Sequence, residues 1–92
     1  MTIPHKDKLD KSFRHLQEGM TYQVVKAFRD YDDELHPAGE RWGFIGSNFV
    51  PYDDGLSLYA TIDGEDRQIR LQWREETQGK IIDNLEEYLK QS

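Results

Sequence analysis

The stretch of sequence that decides the fold runs from residue 36 to residue 58. It reads His36-Pro37-Ala38-Gly39-Glu40-Arg41-Trp42-Gly43-Phe44-Ile45-Gly46-Ser47-Asn48-Phe49-Val50-Pro51-Tyr52-Asp53-Asp54-Gly55-Leu56-Ser57-Leu58. Turn-forming residues at 37–39, 46–48 and 53–55 bracket two short apolar runs. This arrangement is typical of short antiparallel strands joined by tight turns. It predicts a mainly β protein, folded as a very small β-barrel or a rolled sheet.

Outward from this stretch, the apolar and polar residues alternate in further strands. The predicted first strand covers residues 22–28, because it is rich in β-branched and aromatic residues. Residues 30–40 are polar and contain Pro37 and Gly39, which predicts a loop. Further strands are predicted at residues 42–50, with a kink at Gly46, at 56–62 and at 69–73. Together with the first strand they give a predicted sheet of four to five strands.

The last two predicted strands form a hairpin around residues 63–66. A four-residue loop there predicts the pairs Ala60–Ile69, Leu58–Leu71, Leu56–Trp73, Ser57–Gln72 and Tyr59–Arg70, the last stacked across the strands. In this register one face of the hairpin is apolar and the other polar, so a slip by one residue is strongly disfavoured. Both tryptophans of the chain, Trp42 and Trp73, fall on the apolar face.

The two ends of the chain predict different structures. Residues 1–7 predict a loose tail, and residues 8–92 a single domain. Leu9, Phe13 and Leu16 recur at helical spacing, so residues 8–17 predict a short amphipathic helix. Apolar residues at 81, 82, 85, 88 and 89 predict a C-terminal helix with Thr77 as its N-cap, plugging one open end of the barrel.

Composition excludes several kinds of site. The 92 residues include no cysteine, which excludes disulfides, iron–sulfur clusters, zinc–thiolate centres and a cysteine nucleophile. The first seven residues do not have the apolar core of a signal peptide, and no run approaches the roughly 20 apolar residues of a membrane span. These observations predict a cytoplasmic protein without a membrane partner.

Charge is unevenly distributed along the chain. Residues 30–66 carry ten acidic residues and Arg41 as the one basic residue, a net charge of −9. Residues 1–29 carry a net charge of +3, and residues 67–92 are neutral overall. The central block should repel phosphate backbones, which argues against a nucleic-acid partner, and should attract a basic peptide or protein surface.

Five short motifs together resemble a known family. They are Gly19-x-x-Tyr22-x-Val24, Asp30-Tyr31-Asp32, His36-Pro37-x-Gly39-Glu40-x-Trp42, Pro51-Tyr52-x-x-Gly55-Leu56 and Ile69-Arg70-Leu71-Gln72-Trp73. As a set, spanning about residues 13–90, they resemble a bacterial family of domains of unknown function, numbered 3601. The order of strands is also similar to that of SH3-like small barrels of four to five antiparallel strands, here with a C-terminal helix. The first resemblance implies no activity, and the second concerns the fold alone.

Motifs for catalysis are missing from the sequence. Ser47 and Ser57 lie outside any nucleophile elbow, and there is no phosphate-binding loop or dinucleotide fingerprint. The carboxylates of Glu40, Asp53 and Asp54 could serve acid–base hydrolysis, but a 92-residue barrel offers little room for a substrate cleft. We therefore expect a protein that is not an enzyme and that uses no cofactor.

Metal binding is the alternative use of the carboxylates. The acidic loop at residues 30–34 fails as an EF-hand, because Leu35 and Arg41 stand where glycine and glutamate are needed. A calcium site shared by this loop with Asp53 and Asp54 remains open. His36 and Glu40 are four residues apart, but the intervening Pro37 and Gly39 argue against a helical metal pair, so His36 is expected to hydrogen-bond nearby backbone.

The favoured functional interpretation is an interaction or regulatory module. Tyrosines in loops beside acids give flat contact area with little loss of side-chain entropy, and the acids select a basic partner. The predicted binding residues are Tyr31, Asp32, Asp33, Glu40, Tyr52, Asp53 and Asp54. The alternative is a domain that binds a divalent cation or a small ligand on the same loop carboxylates.

Overall fold

A five-stranded antiparallel sheet forms the centre of the protein. The computed structural model describes residues 8–92, so the predicted tail at residues 1–7 lies outside the described residues. The strands are β1 (Ser12–Phe13), β2 (Leu16–Gln17), β3 (Thr21–Val24), β4 (Phe28–Arg29), β5 (Leu35–His36), β6 (Arg41–Val50), β7 (Gly55–Ile62), β8 (Glu65–Gln72) and β9 (Leu89–Gln91). The central sheet has the order β8-β7-β6-β3-β9, while β1–β2 and β4–β5 form separate hairpins.

One face of the central sheet carries the core. Along β7, Leu56, Leu58, Ala60 and Ile62 are buried and alternate with residues of the opposite face. Trp42 and Phe44 of β6 join this core, and both are almost fully buried. Alternation with a period of two is what places one set of side chains in the core and the other set outside. The mainly β prediction is therefore correct.

The register of the β7–β8 hairpin differs from the predicted one by two residues. The turn consists of Asp63 and Gly64 alone, with φ angles of 53° and 80°, and Ile62 pairs with Glu65. Positive φ at both central residues defines a tight turn whose twist matches that of the strands. Tyr59 therefore lies opposite Gln68, not opposite Arg70 as predicted. A shift of two residues keeps the same face in the core.

The kink predicted at Gly46 is a β-bulge, where the β6–β7 register shifts between Phe44 and Gly46. A Cβ atom on Gly46 would lie 2.8 Å from the Cβ of Leu9, so a side chain has no room there. The backbone of Asp10 pairs with Ser47 just beyond the bulge. The bulge thus seats the N-terminal segment on the sheet.

The helix predicted over residues 8–17 is wrong. This segment contains the β1–β2 hairpin, with Arg14 in the left-handed region at φ 51°. The buried hydroxyl of Tyr22 accepts a hydrogen bond from the Gln17 N–H and donates one to the His15 carbonyl. The Tyr22 hydroxyl thus bonds to two backbone groups of this segment, and these tertiary hydrogen bonds stabilise the hairpin rather than the helix that the apolar spacing predicted.

The segment predicted as a first strand and a loop is reorganised. The strand over 22–28 stops at Val24, and the loop over 30–40 contains β5, which pairs with β4. The backbone N–H of Tyr31 donates to the carbonyl of Arg70 in β8 at 2.8 Å. The β4–β5 hairpin therefore lies along the outer edge of β8.

The C-terminal helix is shorter than predicted and is broken into α1 (Gly79–Asp83) and α2 (Leu85–Tyr88), after which β9 pairs with β3. Its buried residues join the core, but Thr77 is not an N-cap, because its hydroxyl donates to carbonyls behind it. Trp73 follows β8 and is only partly buried. Within residues 8–92 the central sheet ends at β8 and β9, so a closed SH3-like barrel is not confirmed.

Candidate functional site

A concavity of about 250 Å³ lies on the face of the sheet opposite the core. Part of its lining comes from β7 and β8, from side chains that alternate with the core residues of each strand. These are Ser57, Tyr59, Gln68 and Arg70. Tyr31 from the β4–β5 hairpin and Asp53 from the β6–β7 connection also line it. Two of the predicted binding residues, 22 positions apart in sequence, thus meet at one surface.

Several polar groups of this concavity make no hydrogen bond within the described part of the chain. Among residues 8–92, the Asp53 carboxylate and the side-chain amides of Asn48 and Gln72 make no hydrogen bond or ion pair that the structure records. Gln68 is partnered, since its amide donates to the Ser57 hydroxyl at 2.9 Å. Convergent polar groups beside an aromatic ring are the usual make-up of a ligand site.

The aromatic part of the concavity is Tyr31. Its side chain is half exposed, and the guanidinium of Arg70 lies 5.3 Å from its ring centroid. This contact replaces the Tyr59–Arg70 stacking that the sequence predicted. Tyr59 also lines the concavity but is only 4% exposed, so Tyr31 is the aromatic side chain that a ligand can reach.

The acids of the predicted site are mostly paired within the chain. Asp32 accepts two hydrogen bonds from Arg70, at 2.6 and 3.0 Å, and these bonds hold the pKa of Asp32 below its ordinary value. Asp54 accepts a hydrogen bond from Arg74 at 3.0 Å, which raises the pKa of that arginine. Neither Asp32 nor Asp54 lines the concavity, so Asp53 is the predicted acid that faces it, and within residues 8–92 it makes no direct ion pair.

Two predicted residues are fully on the surface. Tyr52 lies in a one-turn 3₁₀ helix at Pro51–Asp53, with 92% of its surface exposed, which shows that it is not part of the core. The Asp33 side chain is 86% exposed, and its carbonyl accepts a hydrogen bond from Arg29. Tyr52 is adjacent to Asp53 in sequence, and Asp33 is two positions after Tyr31, but neither lines the concavity.

Glu40, the seventh predicted residue, belongs to a buried network. Its Oε1 accepts hydrogen bonds from the indole N–H of Trp42 and from Nδ1 of His36, both at 2.7 Å. His36 is 1% exposed, and its Nε2 lies 2.9 Å from a carboxylate oxygen of Asp30. The expectation that His36 bonds to backbone is therefore wrong, because it bonds to two carboxylates. The four-residue spacing of His36 and Glu40 was a usable signal, since a strand and a turn can bring them together as well as a helix.

The described residues contain no metal centre. Within residues 8–92, no group of three His, Asp or Glu side chains is arranged to hold a metal ion. The calcium site suggested by the acidic loop with Asp53 and Asp54 therefore has no ready-made cluster, since the loop acid Asp32 is paired with Arg70. None of the helices in the same residues is long and apolar enough to cross a membrane.

Comparison with known proteins identifies a matching family and a similar solved structure. Residues 4–91 match a family described as a domain of unknown function, DUF3601. A solved structure described as an integron cassette protein from the mobile metagenome of Vibrio cholerae is 40% identical, with a TM-score of 0.94, over 96% of this chain and 98% of that one. The comparison with curated proteins found no match. The fold is thus shared across nearly the whole length of a bacterial cassette protein.

Proposed function

The chain belongs to the DUF3601 family of domains of unknown function, and we propose that it is a non-enzymatic module that binds a peptide or protein. The binding surface is the concavity lined by Tyr31 and Asp53. The observation that carries the proposal is the meeting of a half-exposed aromatic ring with a carboxylate and two amides that make no hydrogen bond within the described residues. Such groups are costly to leave unused when a ligand covers them, so they define what a ligand must offer.

The partner that fits this surface is an extended segment with a basic side chain. The Asp53 carboxylate makes no direct ion pair within residues 8–92, although Arg74, which pairs with Asp54, attracts it electrostatically. A lysine or arginine of the partner can therefore pair with it directly. The amides of Asn48 and Gln72 each offer a donor and an acceptor, which matches the N–H and C=O of a peptide backbone. Tyr31 supplies flat contact area.

The arginine in the concavity does not oppose this choice of partner. Arg70 is a cation, but its two hydrogen bonds to Asp32 offset its charge at short range. The pair is neutral overall, so a basic group placed beside Asp53 meets a net negative surface. Asp33 and Tyr52, which are exposed, extend the proposed surface at its rim, where each contact contributes less than those at the centre.

The setting of the proposed module follows the SH3-like resemblance. In such small barrels, loops beside the sheet line a peptide groove, and here the β4–β5 hairpin lies beside β8. This likeness supports the proposal by analogy of fold. We also propose a cytoplasmic location, in keeping with the absence of cysteine.

The proposal is tested by titrating ¹⁵N-labelled protein with a pool of short peptides that contain arginine or lysine. We expect amide shifts at Tyr31, Asp53 and the facing residues of β7 and β8. For a peptide recovered from the pool, Tyr31→Ala and Asp53→Asn should each raise the dissociation constant about tenfold or more. Glu87→Gln, an exposed loss of the same charge on α2, is the matched control and should leave affinity unchanged.

The same spectra distinguish the proposed function from the alternative, which is cation binding. Before peptide is added, the protein is titrated with Ca²⁺, Mg²⁺ and Zn²⁺ after treatment with EDTA. Shifts confined to residues 30–36 and 52–55 with a metal ion, and none with peptide, would replace the proposal by cation binding. Peptide shifts spread over the core face, or an Asp53→Asn variant that binds as tightly as the wild type, would also overturn it.

A further inference from the structure

The buried ring of His36 is held between two carboxylates. Nδ1 faces Oε1 of Glu40 at 2.7 Å, and Nε2 faces Oδ2 of Asp30 at 2.9 Å. The side chains of His36, Asp30 and Glu40 are 1%, 3% and 13% exposed. The ring of Phe28 stacks on the imidazole, with the two centroids 5.0 Å apart. Water therefore has little access to either nitrogen.

The hydrogen bonds indicate which form of the imidazole fits. Oε1 of Glu40 also accepts the indole N–H of Trp42, so this oxygen acts as an acceptor. The Oδ1 atom of Asp30 accepts two backbone N–H groups, those of Asp32 and Glu34. Each carboxylate therefore needs a hydrogen-bond donor from the ring, and only the imidazolium has an N–H on both nitrogens. A buried cation with a carboxylate on each side is also the arrangement that limits the cost of desolvation.

Asp30 connects this ring to the wall of the concavity. Its two backbone bonds shape the turn that follows β4, in which Asp33 has a φ of 62°. The same turn presents Tyr31, whose N–H bonds to the Arg70 carbonyl, and Asp32, which pairs with the Arg70 side chain. Orientation of the Asp30 carboxylate by His36 is therefore transmitted to Tyr31.

We propose that His36 is a positioning residue, whose imidazolium fixes Asp30 and so holds the Tyr31 turn in its binding shape. This inference rests on the proposed function, because Tyr31 forms a wall of the concavity. When the ring loses a proton, one carboxylate is left without a donor and the turn loosens. His36 would then make binding depend on pH through a residue that the partner never touches.

Other charged groups lie around the network. Arg67 of β8 interacts electrostatically with Glu40, and Arg70 of the same strand with Asp30. From α2, Tyr88 packs edge-on against Phe28, and the Lys26 ammonium lies 4.9 Å from the Tyr88 ring centroid. Glu34 is paired with Arg67. Arg67 and Arg70 therefore attract the two carboxylates of the network electrostatically.

The test compares hydrogen-exchange protection of the Asp32 and Glu34 amides in the protein without peptide. In His36→Gln we expect the protection factors of these two amides to fall about tenfold more than those of core amides such as that of Leu58. In the wild type, ¹⁵N spectra of the ring should show two protonated nitrogens, and the turn should lose protection at the pH at which one proton leaves. Unchanged protection in His36→Gln, or a loss equal to that of the core, would overturn the proposal.

A conservative variant separates positioning from a merely structural role. In Asp30→Asn the amide oxygen still accepts the two backbone N–H groups, while its N–H₂ donates to Nε2 of a neutral His36. This variant should keep the turn protected but remove the pH dependence, whereas Asp30→Ala should lose protection at every pH. If Asp30→Asn keeps the wild-type pH dependence, His36 is not its source.

The exchange measurements decide this inference without a bound peptide. A peptide recovered from the basic pool adds a second readout, since its affinity should fall as pH rises in the wild type and stay flat in Asp30→Asn. If no peptide binds, the proposed function fails while the exchange data still accept or reject the positioning role. If His36→Gln does not fold, the pH series on the wild type and on Asp30→Asn decides.

Discussion

Gly79 is the residue at which two physical effects predict opposite results. It begins α1, where alanine is a better helix former than glycine by about 1 kcal/mol. A Cβ atom at this position, however, would lie 2.6 Å from the carbonyl oxygen of Arg74 and 2.8 Å from its carbon. Both are backbone atoms, so neither can rotate away as a flexible side chain would.

The magnitudes decide the sign for Gly79→Ala. The Gly79 N–H donates to the same Arg74 carbonyl at 2.9 Å, so relief of the overlap stretches or breaks that hydrogen bond. Overpacking costs about 1–3 kcal/mol, and a lost hydrogen bond costs about 1 kcal/mol more. After the gain in helix propensity is subtracted, we expect the free energy of unfolding to fall by about 1–3 kcal/mol.

Urea unfolding, followed by tryptophan fluorescence and circular dichroism, measures this change. The next residue, Lys80, is exposed and supplies the control, because Lys80→Ala and Lys80→Gly differ in helix propensity without any close contact. Lys80→Ala should be the more stable of the two by up to about 1 kcal/mol. A Gly79→Ala protein that equals or exceeds the wild type in stability would refute the steric argument.

Two further predictions concern Tyr22 and Asp32. Tyr22→Phe should lower the free energy of unfolding by about 1 kcal/mol and speed exchange of the Gln17 amide, because that part-buried N–H loses its acceptor. The pKa of Asp32 is lowered by Arg70, so the pair contributes stability above the ordinary pKa of an aspartate and loses it as pH falls through the lowered value. Because this pair is exposed, Asp32→Asn should reduce the loss of stability on the acid side by under about 1 kcal/mol, measured by urea unfolding at several pH values. Asp33→Asn is the control, because Asp33 is more exposed, and it should leave the pH dependence unchanged.

Alternation along the strands predicted which faces are buried but not how the strands pair. The apolar positions of β7 and β8 are the same in any register that differs by an even number of residues, so the predicted core face was correct. Glu65 and Asp66 are exposed strand residues, and their polarity made them indistinguishable from a loop. The two-residue turn at Asp63 and Gly64 was therefore extended by two positions.

The N-terminal segment and β9 show a different limit. A ten-residue window with three apolar positions fits a helix, and nothing local reveals that the Tyr22 hydroxyl will bond to two of its backbone groups. Likewise, Leu89 continues the helical stripe of residues 81–89, but β3 offers an unpaired edge that takes residues 89–91 as a strand. Tertiary partners decided both segments against the local pattern.

Two of the seven predicted binding residues, Tyr31 and Asp53, line the concavity, and both come from turns with distinctive residues. Tyr31 and Asp53 stood out because an aromatic and an acid lie in polar loops. The residues from the strands, such as Asn48, Gln68 and Gln72, did not, because a polar residue on the outer face of a strand is ordinary in any sheet. Which of these groups would lack a partner depends on three-dimensional geometry alone.

The separation of charge along the sequence becomes pairing across the fold. Three acids of the negative block meet three arginines of the neutral C-terminal third; the pairs are Glu34–Arg67, Asp32–Arg70 and Asp54–Arg74. Exposed pairs of this kind each contribute little to stability. Their effect on the proposed recognition is larger, because a basic partner must break a pair to reach Asp32 but meets Asp53 directly. The selectivity for a basic side chain should therefore depend on Asp53 more than on the net charge of the block.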